Sequence, residues 1–278
     1  MMLKVFPKLR KQIWGSHRLG RMFGSEEKIG EVWLLSGHPL FITETSEGLD
    51  LNKDMEKILG KVFPRFPLLV KLISAEDWLS VQVHPNDDEA QRLEKEPWGK
   101  TEAWYFVESG QIAIGEDPEK IKEAFSSGNW DGALKKVNVQ PGTFVFLPAG
   151  TVHALGPSGF LVEVQQSSDL TYRVYDWGRD RELHVEKAFR VMKKRKVEDL
   201  LIKNFERFEC EYFRIRKISK ETLRGFCAVV VLERGELDGR KVEPFETFIV
   251  PEGESAYLNT LALEIKLGSF FERWGERT

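Results

Sequence analysis

Cysteine is nearly absent from this chain of 278 residues, which has only Cys210 and Cys227. Two thiols without metal-ligand spacing exclude a disulfide framework and a cysteine zinc site, and reduced thiols in the cytoplasm are the expectation. Long apolar runs are missing too. No window approaches the roughly eighteen apolar residues of a membrane span, and the basic start "MMLKVFPKLRKQIWG" lacks the apolar centre of a secretory leader. Charge of one sign is not in excess either: 41 Lys+Arg stand against 44 Asp+Glu, a net charge of -3. A near-neutral chain has no broad basic field for nucleic acid or an anionic membrane, so any anion it binds is bound locally. The short run "KKRK" at 193–196 reads as a solvated turn.

What the chain does have is short apolar and aromatic runs punctuated by Gly and Pro: "EVWLLSG", "PLLVKLISA", "WLSVQVHP", "EAWYFVESG", "GTFVFLPAG", "GFLVEVQQ", "CAVVVLERG" and "ETFIVPEG". Such spacing predicts a mainly β chain of antiparallel barrels or sandwiches. Helices are expected only at Leu51–Gly60, Asp87–Glu96, the segment "DPEKIKEAF" capped by Asp117 with Pro118 at its first position, and "HVEKAFRVM". Two stretches rhyme. "VNVQPGTFVFLPAGTVHAL" (137–155) and "RKVEPFETFIVPEGESAYL" (240–258) share the order strand, Pro turn, aromatic strand, Pro-x-Gly turn, strand. The second carries Ala256 and Tyr257 where the first reaches His153. Two related barrels follow, residues 1–200 and 201–278, with chemistry in the first only.

Side chains two apart on a strand share a face. In "LSVQVHP", Gln82 and His84 therefore point together, and an amide and an imidazole inside a barrel must be hydrogen-bonded or ligated. In "TEAWYFVE" the carboxylate of Glu102 shares its face with Trp104 and Phe106 and needs a cation. "PAGTVHAL" delivers His153 from a tight turn. Gln82, His84, Glu102 and His153 thus suit one divalent ion, zinc first, with manganese, iron or cobalt also compatible. A lone histidine is more often a satisfied polar residue than a ligand, and His17, His38 and His184 keep that reading. The tryptophans Trp98, Trp104 and Trp177 are read as core.

Together "LSVQVHPND", "GKTEAWY", "LPAGTVHAL" and "LVEVQQSSDLTYRVYDWGR", with "IWG" near the start, resemble the type I mannose-6-phosphate isomerases, in order from Phe6 to Arg179 and more loosely beyond. The resemblance implies two jelly-roll barrels of the cupin superfamily with a few peripheral helices, the C-terminal one metal-free. It implies a metal-dependent isomerase interconverting mannose 6-phosphate and fructose 6-phosphate through an enediol, with Gln82, His84, Glu102 and His153 as ligands. Arg173, Glu163 and Lys100 fall on catalytic positions, and Ser80, Lys100 and Asp169 on substrate-pocket positions. Arginine stays protonated, so Arg173 is assigned to the anionic intermediate or the phosphate, against the plain reading of a salt bridge to Asp176 or Glu182. Lys100 is a point charge for phosphate or enediolate oxygens, otherwise a solvated loop lysine. Glu163 is the first choice of base, with Asp169 or a metal-bound water as alternatives. The sugar phosphate is the expected partner, with neither nucleic acid nor membrane. A cupin isomerase for another sugar phosphate and a non-catalytic metal- or sugar-binding cupin are the competing readings.

Overall fold

Alternation of apolar residues between two faces of each strand shapes the architecture of the computed structural model, which describes residues 2–275. The chain divides into two units: one takes in residues up to 8, 33–71 and from 205 onward, the other residues 9–32 and 72–204. The expected single cut near residue 200 differs from this interleaving. Its physical origin is strand pairing: Leu3–Phe6 pairs with Thr247–Val250, with Leu3 opposite Ile249 and Val5 opposite Thr247, and Glu44–Thr45 pairs with Leu3–Phe6 in turn.

In the 9–32 and 72–204 unit, an antiparallel sheet runs in the order Tyr172–Tyr175, Val81–Val83, Val152–Leu155, Gly110–Gly115, Lys135–Val139. A second presents Leu201–Ile202, Phe144–Leu147, Glu102–Phe106 and Phe160–Gln166 side by side. Ile112, Ile114, Val139 and Leu155 from the first sheet meet Trp104, Phe106, Val145, Leu147 and Leu161 from the second in one core. The other face of the first sheet carries Val81, Val83, Ala113, Val152, Ala154 and Val174, which pack with Ile121 and Ala124 of helix Pro118–Ser127 and Ala188 and Val191 of helix Val185–Val191. Period-two alternation thus sends the valines of "VQV" outward under the helices and turns Gln82 inward.

The helix starts follow local capping chemistry. Asp117 accepts from Glu119 N with Pro118 following, and Asn86 forms a capping box with Glu89 at the head of Asp87–Glu94. The expected segment 51–60 is helical over Met55–Leu59 and stops at Gly60, whose φ of 68° is the left-handed region that glycine enters without strain. The short helix His17–Met22, capped by Ser16, has no counterpart among the expected elements.

The other unit repeats the plan. One sheet orders Arg207–Glu209, Phe213–Ile218, Ala262–Leu267, Cys227–Val231, Thr247–Val250, Leu3–Phe6 and Glu44–Thr45; a second orders Glu221–Arg224, Ser255–Asn259, Gly235–Leu237 and Arg240–Val242. The rhyming segments are strand, turn, strand, turn, strand in both units: Lys135–Val139, Phe144–Leu147, Val152–Leu155 against Arg240–Val242, Thr247–Val250, Ser255–Asn259. At the position of His153 stands Ala256, part of the apolar core of its own barrel. No helix among the described residues is long and apolar enough to cross a membrane.

Candidate active site

One turn brings the imidazoles together. Gly150, at φ 89°, closes the Pro-Ala-Gly turn, and its N–H donates to His84 O at 2.8 Å, tying the end of one histidine strand to the start of the other. A Cβ there would meet the Lys193 side chain at 2.8 Å and Val191 O at 2.9 Å, so only glycine fits. His153 lies opposite Gln82 in register. The nitrogen and oxygen atoms that His84, Glu102 and His153 offer all lie within 4.8 Å of one another, and all three residues are buried.

Each imidazole has its lone pair aimed inward. His84 Nδ1 donates to Leu170 O at 2.7 Å and His153 Nδ1 donates to Thr151 O at 2.9 Å, so a neutral ring at either position turns its Nε2 lone pair toward Glu102. The gaps are 3.6 Å from His84 Nε2 to Glu102 Oε2 and 3.1 Å from His153 Nε2 to Glu102 Oε1. Ligands about 2.1 Å from a tetrahedral ion lie about 3.4 Å apart, so the set has the right spacing. Glu102 is fully buried, yet neither carboxylate oxygen receives a well-directed hydrogen bond. A buried carboxylate is costly unless a cation sits on it; the Lys100 ammonium lies against Oε2, and Oε1 faces the imidazoles.

The charges agree. Burial, then the ammonium of Lys100, pushes the His84 imidazole down to about 4, so it is neutral near pH 7 and free to ligate. Burial alone raises the Glu102 carboxyl, but the Lys100 ammonium holds it well below the usual carboxylate range. Lys100 Nζ lies 2.6 Å from Glu102 Oε2 and 3.2 Å from His84 Nε2; it is buried, not a solvated loop lysine.

Gln82 reaches the same cluster. Its Oε1 accepts from Ser80 Oγ at 3.1 Å, and its Nε2 lies 3.5 Å from His153 Nε2. The two ends of an amide are nearly equivalent in shape. Turned over, the group places Oε1 beside His153 Nε2 while Ser80 Oγ accepts from Nε2.

Around this centre the remaining residues take distinct places. Glu163 is buried opposite Trp104, a diagonal neighbour of Glu102, and its Oε2 accepts from Trp104 Nε1 at 2.8 Å. Arg173 pairs in register with Gln82, and its Nη1 donates to the backbone oxygen of Glu182 at 2.6 Å. Asp176 accepts instead from Arg179 and Arg181, so neither salt bridge considered for Arg173 is formed. Burial, then Arg181, lowers the Arg173 guanidinium from its ordinary value. Asp169 is held at a small remove, its two oxygens accepting from Arg10 Nη1 at 3.0 and 3.1 Å.

Sequence reasoning missed a supporting layer. Asp87 Oδ1 accepts from Gly99 N at 2.8 Å and from Gln166 Nε2 at 2.9 Å, and Gln166 Oε1 accepts from Thr101 N at 2.9 Å. The acidic turn after His84 therefore holds the strand start that carries Lys100 and Glu102. A Cβ on Gly99 would lie 2.2 Å from Pro85 O, which is the packing signal in "WGK". Arg10 and the Trp104 indole donor also escaped, because a single arginine or tryptophan carries no spacing pattern.

Comparison with known proteins places these observations. Residues 2–105 match the family model described as phosphomannose isomerase type I, catalytic domain. The chain is 39% identical over 208 residues to a mannose-6-phosphate isomerase of Streptococcus mutans, covering 66% of this chain and 65% of that protein, just under two thirds of its length. It is 33% identical over 283 residues to mannose-6-phosphate isomerase ManA of Bacillus subtilis, covering 86% of this chain and 89% of that protein. A crystal structure of mannose 6-phosphate isomerase from Bacillus subtilis superposes with a TM-score of 0.81 at 26% identity, over 95% of this chain and 98% of that one.

Proposed function

Because the chain belongs to the type I phosphomannose isomerase family, we propose that it is a metal-dependent aldose-ketose isomerase that interconverts mannose 6-phosphate and fructose 6-phosphate through an enediol. The observation that carries this reading is the buried His84, Glu102 and His153 cluster, whose ligand atoms lie within 4.8 Å of one another with both Nδ1 atoms held by backbone carbonyls.

These three residues, with the Gln82 amide oxygen, would hold one divalent ion. Two imidazoles, a carboxylate and an amide favour zinc among the divalent ions. An ion bound there supplies Lewis-acid polarisation of the substrate's carbonyl and hydroxyl oxygens. Glu163 takes the proton from C2 of the open-chain aldose and returns it to C1, while the hydroxyl proton passes from O2 to O1. The Trp104 indole fixes the carboxylate so that its other oxygen faces the substrate. Lys100 and Arg173 offset the negative charge that develops on oxygen and that of the phosphate. Ser80 orients Gln82, and Asp169 with Arg10 anchors the loop on which Leu170 lies. The chemistry belongs to the 9–32 and 72–204 unit; the other barrel, with Ala256 in place of a ligand, takes no part in it.

Turnover measured on mannose 6-phosphate, glucose 6-phosphate and other aldose phosphates tests the assignment. Interconversion of mannose 6-phosphate at the highest kcat/KM of the series is the expected result; no turnover of any sugar phosphate by metal-loaded protein makes it a non-catalytic cupin.

A further inference from the structure

The unit that lacks a ligand set has a cleft of its own, of about 500 Å³, which shares no residue with the candidate active site. Four cations line it, Lys61, Arg214, Arg224 and Lys266, against two carboxylates, Glu252 and Glu272. In a chain of net charge -3, the lining of this cleft carries more positive than negative side chains.

The carboxylates neutralise it only in part. Glu272 is engaged by Arg214, and its backbone oxygen accepts from Lys61 Nζ. Glu252 is turned to the backbone, accepting from Phe226 N at 3.0 Å. Gly60 and Gly225, both at positive φ, allow this close approach, since an added Cβ would lie 3.1 and 3.3 Å from the Glu252 side chain. Arg224 has no ion-pair or hydrogen-bond partner for its guanidinium among the described residues, and Arg214 Nε is buried without an acceptor. Lys266 Nζ donates to Arg224 O at 3.0 Å and lies 3.6 Å from Glu264 Oε1, a long contact that leaves at least one of its three donors open. An unused guanidinium fork and open ammonium donors around one hollow are the chemistry that binds phosphate oxygens.

We propose that this cleft is a second anion site that takes a phosphate-bearing small molecule, with Arg224 and Lys266 as its principal donors and Arg214 and Lys61 completing the positive rim. The site rests on these residues alone and not on the isomerase reading.

Phosphate binding to the full-length, metal-loaded chain tests it, with inorganic phosphate, mannose 6-phosphate and ADP as probes in calorimetry. In wild type, at least one probe binds in a step that the Arg224→Ser/Lys266→Ser variant weakens about tenfold or more, while kcat and KM for mannose 6-phosphate are unchanged. The probe that binds most tightly in that step identifies whether the occupant is the free ion, a sugar phosphate or a nucleotide. Arg224 is exposed, so Arg224→Ser alone gives the answer should the double variant unfold. Lys241→Ser, which removes the same charge from an exposed strand, leaves the step intact. Equal binding by wild type and both cleft variants, or equal weakening by Lys241→Ser, overturns the proposal.

Discussion

Trp104 donates its indole N–H to Glu163 at 2.8 Å while its ring meets the His153 ring edge-on, with centroids 5.4 Å apart. One side chain thus touches both the proposed base and a proposed ligand, and Trp104→Phe separates the two roles by keeping an aromatic ring and removing the donor. The variant is expected to keep its metal and lose about 10- to 100-fold in kcat. Steady-state kinetics with metal analysis checks this, and full kcat would show that the indole does not position Glu163.

Ligand and charge roles separate in the same way. Glu102→Gln and His153→Ala are expected to lose bound metal, because each removes a donor from a small closed set. Arg173→Ala is expected to keep metal and lose turnover. Elemental analysis of the three purified variants checks the division, which metal loss in the arginine variant would refute.

Asp87 is expected to matter without touching the cluster. Asp87→Ala leaves Gly99 N and Gln166 Nε2 without their acceptor, a loss of about 1–3 kcal/mol of stability. It also loosens the segment bearing Lys100 and Glu102, so metal affinity falls with stability. Urea unfolding and metal titration check both; a stable variant with unchanged affinity would make the network incidental.

Metal-free protein is expected to weaken as pH falls from about 6.5 to about 4. Over that window the unfolded chain protonates its histidine while His84, pushed down to about 4, stays neutral in the folded state, so the unfolded state binds more protons and stability falls. Below that, protonation of Glu102 adds a further loss. Thermal melts of apo protein across the window check this, and His84→Gln flattens the slope.

Much of this was legible in the sequence, for identifiable reasons. Gln82 and His84 on one face, Glu102 beside Trp104, and His153 after a Pro-Ala-Gly turn all follow from strand periodicity and turn chemistry, which are local. Asp117 followed by Pro118 announced its helix in the same way. The carbonyls of Leu170 and Thr151, which fix both imidazoles, were not legible because every residue has a carbonyl. Arg10 with Asp169 and Asp87 with Gln166 pair across long stretches of chain, and no local pattern encodes such partners. The grouping of residues 33–71 with the C-terminal segment has the same cause, since Leu3–Phe6 pairs with both Thr247–Val250 and Glu44–Thr45, a match set by tertiary structure.

The most direct measurement is mannose 6-phosphate turnover followed through chelation and metal return, with metal counted per chain at each stage. One equivalent of divalent ion in the active protein, loss of turnover with its removal and recovery on adding zinc are the expected results. Full turnover by protein free of metal would contradict the account.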